Sequence, residues 1–380
     1  EIKVVLKGLG FWMAGNESPY KVAVPSWRPD VSGVADLVEE VVRIEGLERV
    51  PATPMSRAGT VAKPILTLGQ TRRHRARRAL AGRGMLEAVT WSFVSEAQAE
   101  AFGGGAAALK LANPISSDLS DMRPSLLPGL IAAAQRNADR GNGDIALFEV
   151  GPAFHGAEPG EQQTVAGGIR RASAHMTGAG RHWSRNFAPV DAYSAKADAL
   201  AALAEAGAPV DSLQVWDNAP DWYHPGRSGS LQLGPKTVLA HFGEIHPLAL
   251  EALDAEGPVA GFEIFLDAIP APRGKHATSR PALDISDLQP VRRDFAFVLD
   301  EAVKAADVIR AARGADKGLI ADVNVFDVFA GKALGEGKKS LAIEVTLQPR
   351  EKTMTDEEID AVAKKIVAAV EKATGGSLRG

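Results

Sequence analysis

The chain has 380 residues, 43 Lys and Arg against 47 Asp and Glu, and a formal net charge of −4. It is 45% apolar and 24% charged, the composition of an ordinary globular protein with roughly two or three domains, which excludes a collagen-like, coiled-coil or wholly disordered chain. It has no cysteine, which removes disulfide frameworks, thiolate zinc sites, iron–sulfur clusters and cysteine nucleophiles. No apolar run approaches the ~20 residues of a membrane span, and no signal-peptide pattern opens the chain. The reading is a cytoplasmic protein without membrane association. Near-neutral charge leaves any nucleic-acid contact to local patches. Residue 1 is Glu and an apolar run begins at once, which reads as a piece of a longer protein.

In chain order, 2–6 and 20–24 read as short strands with a turn at Ala14-Gly15-Asn16 between them. Residues 36–44 have helical periodicity through Leu37, Val38, Val41, Val42 and Ile44. Pro51 and Pro54 stop that helix and open a linker over 51–65. A second region, 66–270, mixes helices near 69–83, 125–139 and 194–206 with strands at 145–150, 231–233 and 238–242. The last two are joined as a hairpin by Gly234-Pro235-Lys236. Without regular βαβ alternation, an antiparallel sheet with packed helices fits better than a doubly wound fold. A Pro-rich linker covers 271–286. The last region, 287–380, reads strand 293–299, helix 302–313, strands 320–329 and 339–347, helix 355–373. Thr355 and Glu358 form a capping box at the start of that helix. The order β-α-β-β-α is the ferredoxin-like pattern lacking its last strand, which Ser377-Leu378-Arg379 could begin. The fold class is therefore α+β.

Three constellations could carry chemistry. In the first, Asp36, Glu39 and Glu40 share one face of the 36–44 helix, with Asp30 on the loop before it. Such carboxylates repel unless something positive sits among them, and Mg²⁺ would suit their oxygens. The bland alternative makes Asp36 an N-cap with Glu39 as its capping-box partner. In the second, Arg72, Arg73, Arg75, Arg77 and Arg78 crowd one helix and suit phosphates, an acidic partner face or plain solvation. The third is Asp121-Met-Arg123-Pro-Ser125, then Leu147-Phe-Glu149-Val-Gly151-Pro-Ala-Phe154-His155. Other candidates fail. Gly331 to Lys339 does not meet the phosphate-loop pattern, Gly178-Ala-Gly180-Arg181 is a lone glycine pair, and no nucleophile elbow occurs. His241 and His246 read as ordinary surface residues, and His224-Pro-Gly-Arg-Ser as a turn.

The third constellation resembles the run into motif 2 of class II aminoacyl-tRNA synthetases. In an active enzyme the Phe is followed by Arg and then, two further on, Glu. Here those positions hold His155 and Ala157, and the motif-3 counterpart, Gly261 to Asp267, lacks its arginine. Longer runs are more specific. Val24-Pro-Ser-Trp-Arg28-Pro-Asp30, Asp36 to Gly46, Asn113 to Ser117, Met122 to Leu130, Phe242-Gly-Glu-Ile-His-Pro247 and Pro290 to Phe297 together resemble the beta-subunit family of bacterial phenylalanyl-tRNA synthetase.

The resemblance implies a partial winged-helix-like module over 1–50 with Mg²⁺ on Asp30, Asp36, Glu39 and Glu40. It implies a class II synthetase-like antiparallel core over 66–270, inactive by itself, that pairs with a catalytic alpha subunit. It implies a ferredoxin-fold anticodon-binding domain over 287–380. The whole enzyme of that family is an (αβ)₂ heterotetramer that joins phenylalanine to tRNA(Phe), with ATP and phenylalanine bound by the alpha subunit. The family's editing domain is absent from these residues. In the C-terminal domain, stacking on Phe295 and Phe297 and phosphate contacts from Arg292, Arg293, Lys338 and Lys339 are the expected tRNA-binding features. Phe326 and Phe329 fall on opposite faces of their strand by alternation. Two rival classes remain, an autonomous ATP-using ligase and an RNA-binding scaffold outside translation.

Overall fold

The computed structural model describes residues 1–55, 64–174, 188–272 and 285–379. The chain divides into two compact units, Glu1–Pro272 and Arg273–Gly380. Much of both linkers, and the Gly178 to Arg181 run, lie outside the described residues. Among the described residues no helix is long and apolar enough to cross a membrane.

The first unit opens with helix α1 (Ile2–Gly8), hairpin β1 (Trp12–Ala14) and β2 (Lys21–Ala23), and helix α2 (Val34–Glu45). The strand expected at 2–6 is thus a helix, and β2 pairs with β1 instead. Its β-branched residues Ile2, Val4 and Val5 favour a strand locally. The fold, however, buries the adjacent residues Val5 and Leu6 and packs Leu9 beside them. A strand would point neighbours to opposite faces; a helical turn sets 5, 6 and 9 on one side. Leu6 and Leu9 pack with Phe11, Val31, Leu37 and Val41.

The body of this unit is a seven-stranded sheet. After α3 (Leu68–Gly82) come β3 (Leu86–Glu87), a small pair β4 (Phe93–Val94) and β5 (Asp121–Met122) flanking α4 (Glu96–Ala101), then α5 (Leu127–Ala138). The long strands are β6 (Ala146–Phe154) and β7 (Gln162–Arg171). They are followed by α6 (Ala192–Glu205), β8 (Gln214–Trp216), β9 (Tyr223–Leu233), β10 (Thr237–Ile245), α7 (Pro247–Glu251) and β11 (Val259–Phe265). The sheet order is β3-β6-β7-β11-β10-β9-β8, antiparallel except for the β3–β6 pair. The β9–β10 hairpin turns through residues 234–236, with Gly234 at φ +68°. Only glycine adopts that left-handed geometry without strain.

One face of the sheet packs on the alanine-rich side of α6 and on Ala76 and Leu80 of α3. The other packs on Leu127, Leu130, Ile131 and Ala134 of α5 and on α7. Alternation along the strands separates the two sets, 148 and 150 to one side, 147 and 149 to the other. A buried ion cluster fixes α6 to the sheet. Asp198 takes Arg170 at 2.6 and 3.0 Å and Arg83 at 2.5 Å.

The second unit contains β12 (Val291–Asp300), α8 (Ala305–Gly314), β13 (Ile320–Phe329), β14 (Lys338–Leu347), α9 (Asp356–Thr374) and β15 (Ser377–Leu378). The order β13-β14-β12-β15, all antiparallel, completes the ferredoxin-like fold. Both bonds of the Thr355–Glu358 capping box form, at 3.0 and 3.3 Å. Ile359, Val362, Ile366 and Val370 then fall on one stripe of α9 and bury against Phe297, Leu341, Ile343 and Val345. Each such burial contributes about 1.5–3 kcal/mol.

Candidate functional site

The four acidic residues of the N-terminal module do not gather into one site. Arg28 stands between two of them. Its guanidinium donates to Asp30 at 2.9 and 2.6 Å and to Glu40 at 2.8 Å, and Arg43 adds a 2.8 Å bond to Glu40. These bonds, Arg28 first, pull the Glu40 carboxyl down to about 2. Asp36 is the third residue of α2 and not its cap. One oxygen accepts the Ser32 and Gly33 N–H groups at 2.8 Å, which holds its carboxyl below the usual range. Glu39 lies exposed. Among the described residues no three His, Asp or Glu side chains stand where they could hold a metal ion. The side chains as placed do not fit Mg²⁺.

The arginine run on α3 is divided in use. Arg72 is buried and donates to the Ile269 and Pro270 carbonyls at 2.8 and 2.6 Å, and Arg77 reaches Glu87 and the Val150 carbonyl. Arg73, Arg75 and Arg78 are exposed.

Across the synthetase-like sheet runs a row of polar residues that the linear sequence does not reveal. By register Glu149 pairs with Gly167, Gly167 with Glu263, Glu263 with His241 and His241 with Ser230. All lie on the α5 side. Glu149 and Glu263 each sit alone in an apolar strand, and that is the trace a sequence could offer. The row is closed by the chain itself. Arg123, 3% exposed, donates to Glu149 at 2.8 Å, to Thr90 at 3.1 Å and to the Pro152 carbonyl at 2.9 Å. Leu126 rests on Gly167 so closely that a Cβ there would meet it at 3.0 Å, and a Cβ on Gly151 would meet the Arg123 guanidinium at 2.6 Å. Glu263 accepts from Ser125 Oγ at 2.8 Å and from the Leu126 N–H at 3.0 Å. Burial nevertheless pushes its carboxyl up to about 7, and burial lowers His241 to about 4. His155, at the end of the β6–β7 hairpin, faces Gln163 at 3.3 Å. Neither it nor the 261–267 stretch supplies a phosphate-holding cation.

In the ferredoxin-like unit, Phe295 and Phe297 are 8% and 0% exposed, on the helix-covered face. A ring enclosed there offers no face to a base, so the stacking expected of this pair fails on burial. The exposed rings are on β13, Phe326 at 58% and Phe329 at 44%. A register shift between Val325 and Asp327 changes the alternation, and Phe329 pairs with Ser340 on the open face. The Arg379 guanidinium lies 6.0 Å over the Phe329 ring, a contact the sequence reading did not contain. Arg292 and Lys338 share the open face by register, weakly paired with Glu344 at 3.7 Å and bonded to Asp300 at 2.5 Å. Arg293 is exposed near the start of β12, and half-buried Lys339, near the start of β14, donates to the Glu301 carbonyl at 2.8 Å.

Residues 9–266 match the family described as the phenylalanyl tRNA synthetase beta chain CLM domain, and residues 286–379 match the ferredoxin-fold anticodon binding domain. The chain belongs to the phenylalanyl-tRNA synthetase beta-chain family. It is 59% identical over 376 residues to the phenylalanine–tRNA ligase beta subunit of Brucella suis, covering 99% of this chain and 47% of that protein. It is 58% identical over 379 residues to that of Bradyrhizobium diazoefficiens, with coverage of 100% and 47%. The chain thus spans about half the length of these relatives.

Proposed function

We propose that this chain is the supporting, non-catalytic part of a phenylalanine–tRNA ligase beta subunit. In this reading a separate alpha subunit binds ATP and phenylalanine, the two subunits form an (αβ)₂ assembly, and the ferredoxin-like unit holds tRNA(Phe). The observation that carries it is the filled sheet face. Arg123 is committed to Glu149 and Leu126 covers Gly167, and among the described residues Arg123 is the cation bonded into the row. An adenylate-forming site needs open space and positive charge aimed at phosphates; where Arg123 and Leu126 cover the row it offers neither. For docking of the alpha subunit, Leu86, Val89 and Trp91 are 63%, 91% and 70% exposed beside the β3 edge of the sheet, an apolar patch that suits a protein partner.

For tRNA, Phe329 with Arg379 above it offers a stacking platform of the kind used for unpaired bases, worth roughly 1–3 kcal/mol per base. Arg292 and Lys338 lie on the same face for phosphates. The rival reading as an autonomous ligase finds no supporting cation on the row among the described residues. A scaffold role outside translation would leave tRNA(Phe) binding without preference. The test is filter binding of tRNA(Phe) and an unrelated tRNA to the chain and to its Phe329→Ala and Arg379→Ala variants. Weakening by about fivefold or more in each variant, a shallower salt dependence in Arg379→Ala than in the wild type and preference for tRNA(Phe) are expected. Equal binding by wild type and both variants would remove this face from the proposal.

A further inference from the structure

The N-terminal module carries its own positive charge at the place where its acidic residues suggest a metal. Arg28 is held from three directions. Its Nε and Nη2 grip Asp30 at 2.9 and 2.6 Å, its Nη1 reaches Glu40 at 2.8 Å, and its guanidinium lies 6.0 Å from the ring of buried Phe11. Glu40, 6% exposed, has Arg43 as its second partner at 2.8 Å. Two carboxylates therefore face two guanidinium groups, and the local charge closes without an ion. The fork geometry of arginine matches carboxylates in a way a hydrated divalent ion does not. Asp36 faces the Ser32 and Gly33 amides with its Oδ2 atom, which keeps it on the helix start.

We infer that Arg28 is the resident cation of this module, holding Asp30 and Glu40 together so that a divalent ion enters only where Arg28 is displaced. A Mg²⁺ ion demands close, near-octahedral oxygens. Placed between Asp30 and Glu40 it would meet the Arg28 and Arg43 charges at contact distance, and like charges so close repel.

The experiment is Mg²⁺ titration of the full chain by calorimetry after dialysis against EDTA, with Arg28→Gln beside the wild type. The wild type should show no saturable site below about 5 mM, and Arg28→Gln should bind Mg²⁺ at least about tenfold more tightly. Asp30→Asn in the Arg28→Gln background should remove that gain. Should Arg28→Gln fail to fold by circular dichroism, the wild type decides alone through the free-ion electron paramagnetic resonance signal of Mn²⁺. No bound Mn²⁺ up to about 1 mM supports the inference. One ion bound by the wild type below about 1 mM and lost in Asp30→Asn overturns it, as does a folded Arg28→Gln chain with unchanged Mg²⁺ affinity.

Discussion

Glu263 joins β11 to the start of α5, and its replacement by glutamine isolates what that burial does. The carboxyl is 3% exposed and pushed from 4.5 up to about 7, burial outweighing the Leu126 and Ser125 hydrogen bonds and the Arg123 charge. A folded-state value raised above the unfolded one means that the native state holds its proton more tightly. The associated stability is present in full below about 4.5 and is lost as pH rises through about 7. The shift corresponds to roughly 3 kcal/mol at most between the two limits. Glu263→Gln keeps an oxygen for Ser125 Oγ and the Leu126 N–H and never ionises. Near pH 5 the variant and wild type should agree within about 1 kcal/mol, and near pH 8.5 the variant should be the more stable by about 2–3 kcal/mol. Neighbouring His241, lowered to about 4, pulls the opposite way, because the unfolded chain binds its proton first as pH falls. The difference between variant and wild type cancels that contribution. All six tryptophans lie within residues 12–222, so urea unfolding followed by their fluorescence reports the first unit alone. Equal destabilisation of the variant at both pH values would refute the reasoning.

Further outcomes follow from the same packing. Arg170→Met leaves Asp198, 0% exposed, with Arg83 as its remaining guanidinium partner, and should cost about 3–5 kcal/mol in the same urea assay. Phe297→Ala should destabilise the ferredoxin-like unit by about 3–5 kcal/mol, read as faster hydrogen exchange across β12 and β14. Phe326→Ala, on an exposed ring, should change that exchange by less than about 1 kcal/mol. Raising salt should weaken tRNA(Phe) binding by the wild type more than by an Arg292→Gln, Lys338→Gln double variant, measured as the slope of log affinity against log salt.

Much of the fold is local and was legible. The Thr355–Glu358 box, the Gly234 hairpin and the β-α-β-β-α order depend on short-range chemistry, and each forms where the sequence places it. In the 2–6 run β-branched residues speak for a strand, while the packing of Leu6 and Leu9 against Phe11 and Val31 that favours the helix is a tertiary effect. Alternation set Phe295 and Phe297 on one face correctly, but periodicity does not say which face the helices cover. The bulge near Phe326 further separates the β13 rings from simple alternation. Carboxylate spacing in the N-terminal module was visible. That Arg28 folds back across 12 residues to Glu40 was not, because it depends on the loop path. The polar row of Glu149, Glu263, His241 and Ser230 exists only through strand register, which no single strand encodes.

The central claim is that this chain supports a ligase and does not itself form the adenylate. The most direct measurement is phenylalanine-dependent ATP–pyrophosphate exchange and aminoacylation of tRNA(Phe), by the purified chain and by the chain co-expressed with a phenylalanyl-tRNA synthetase alpha subunit. The account predicts no exchange by the chain alone, and co-purification with the alpha subunit accompanied by phenylalanine-dependent exchange. Exchange by the chain free of alpha subunit, or failure of the two to associate, would contradict it.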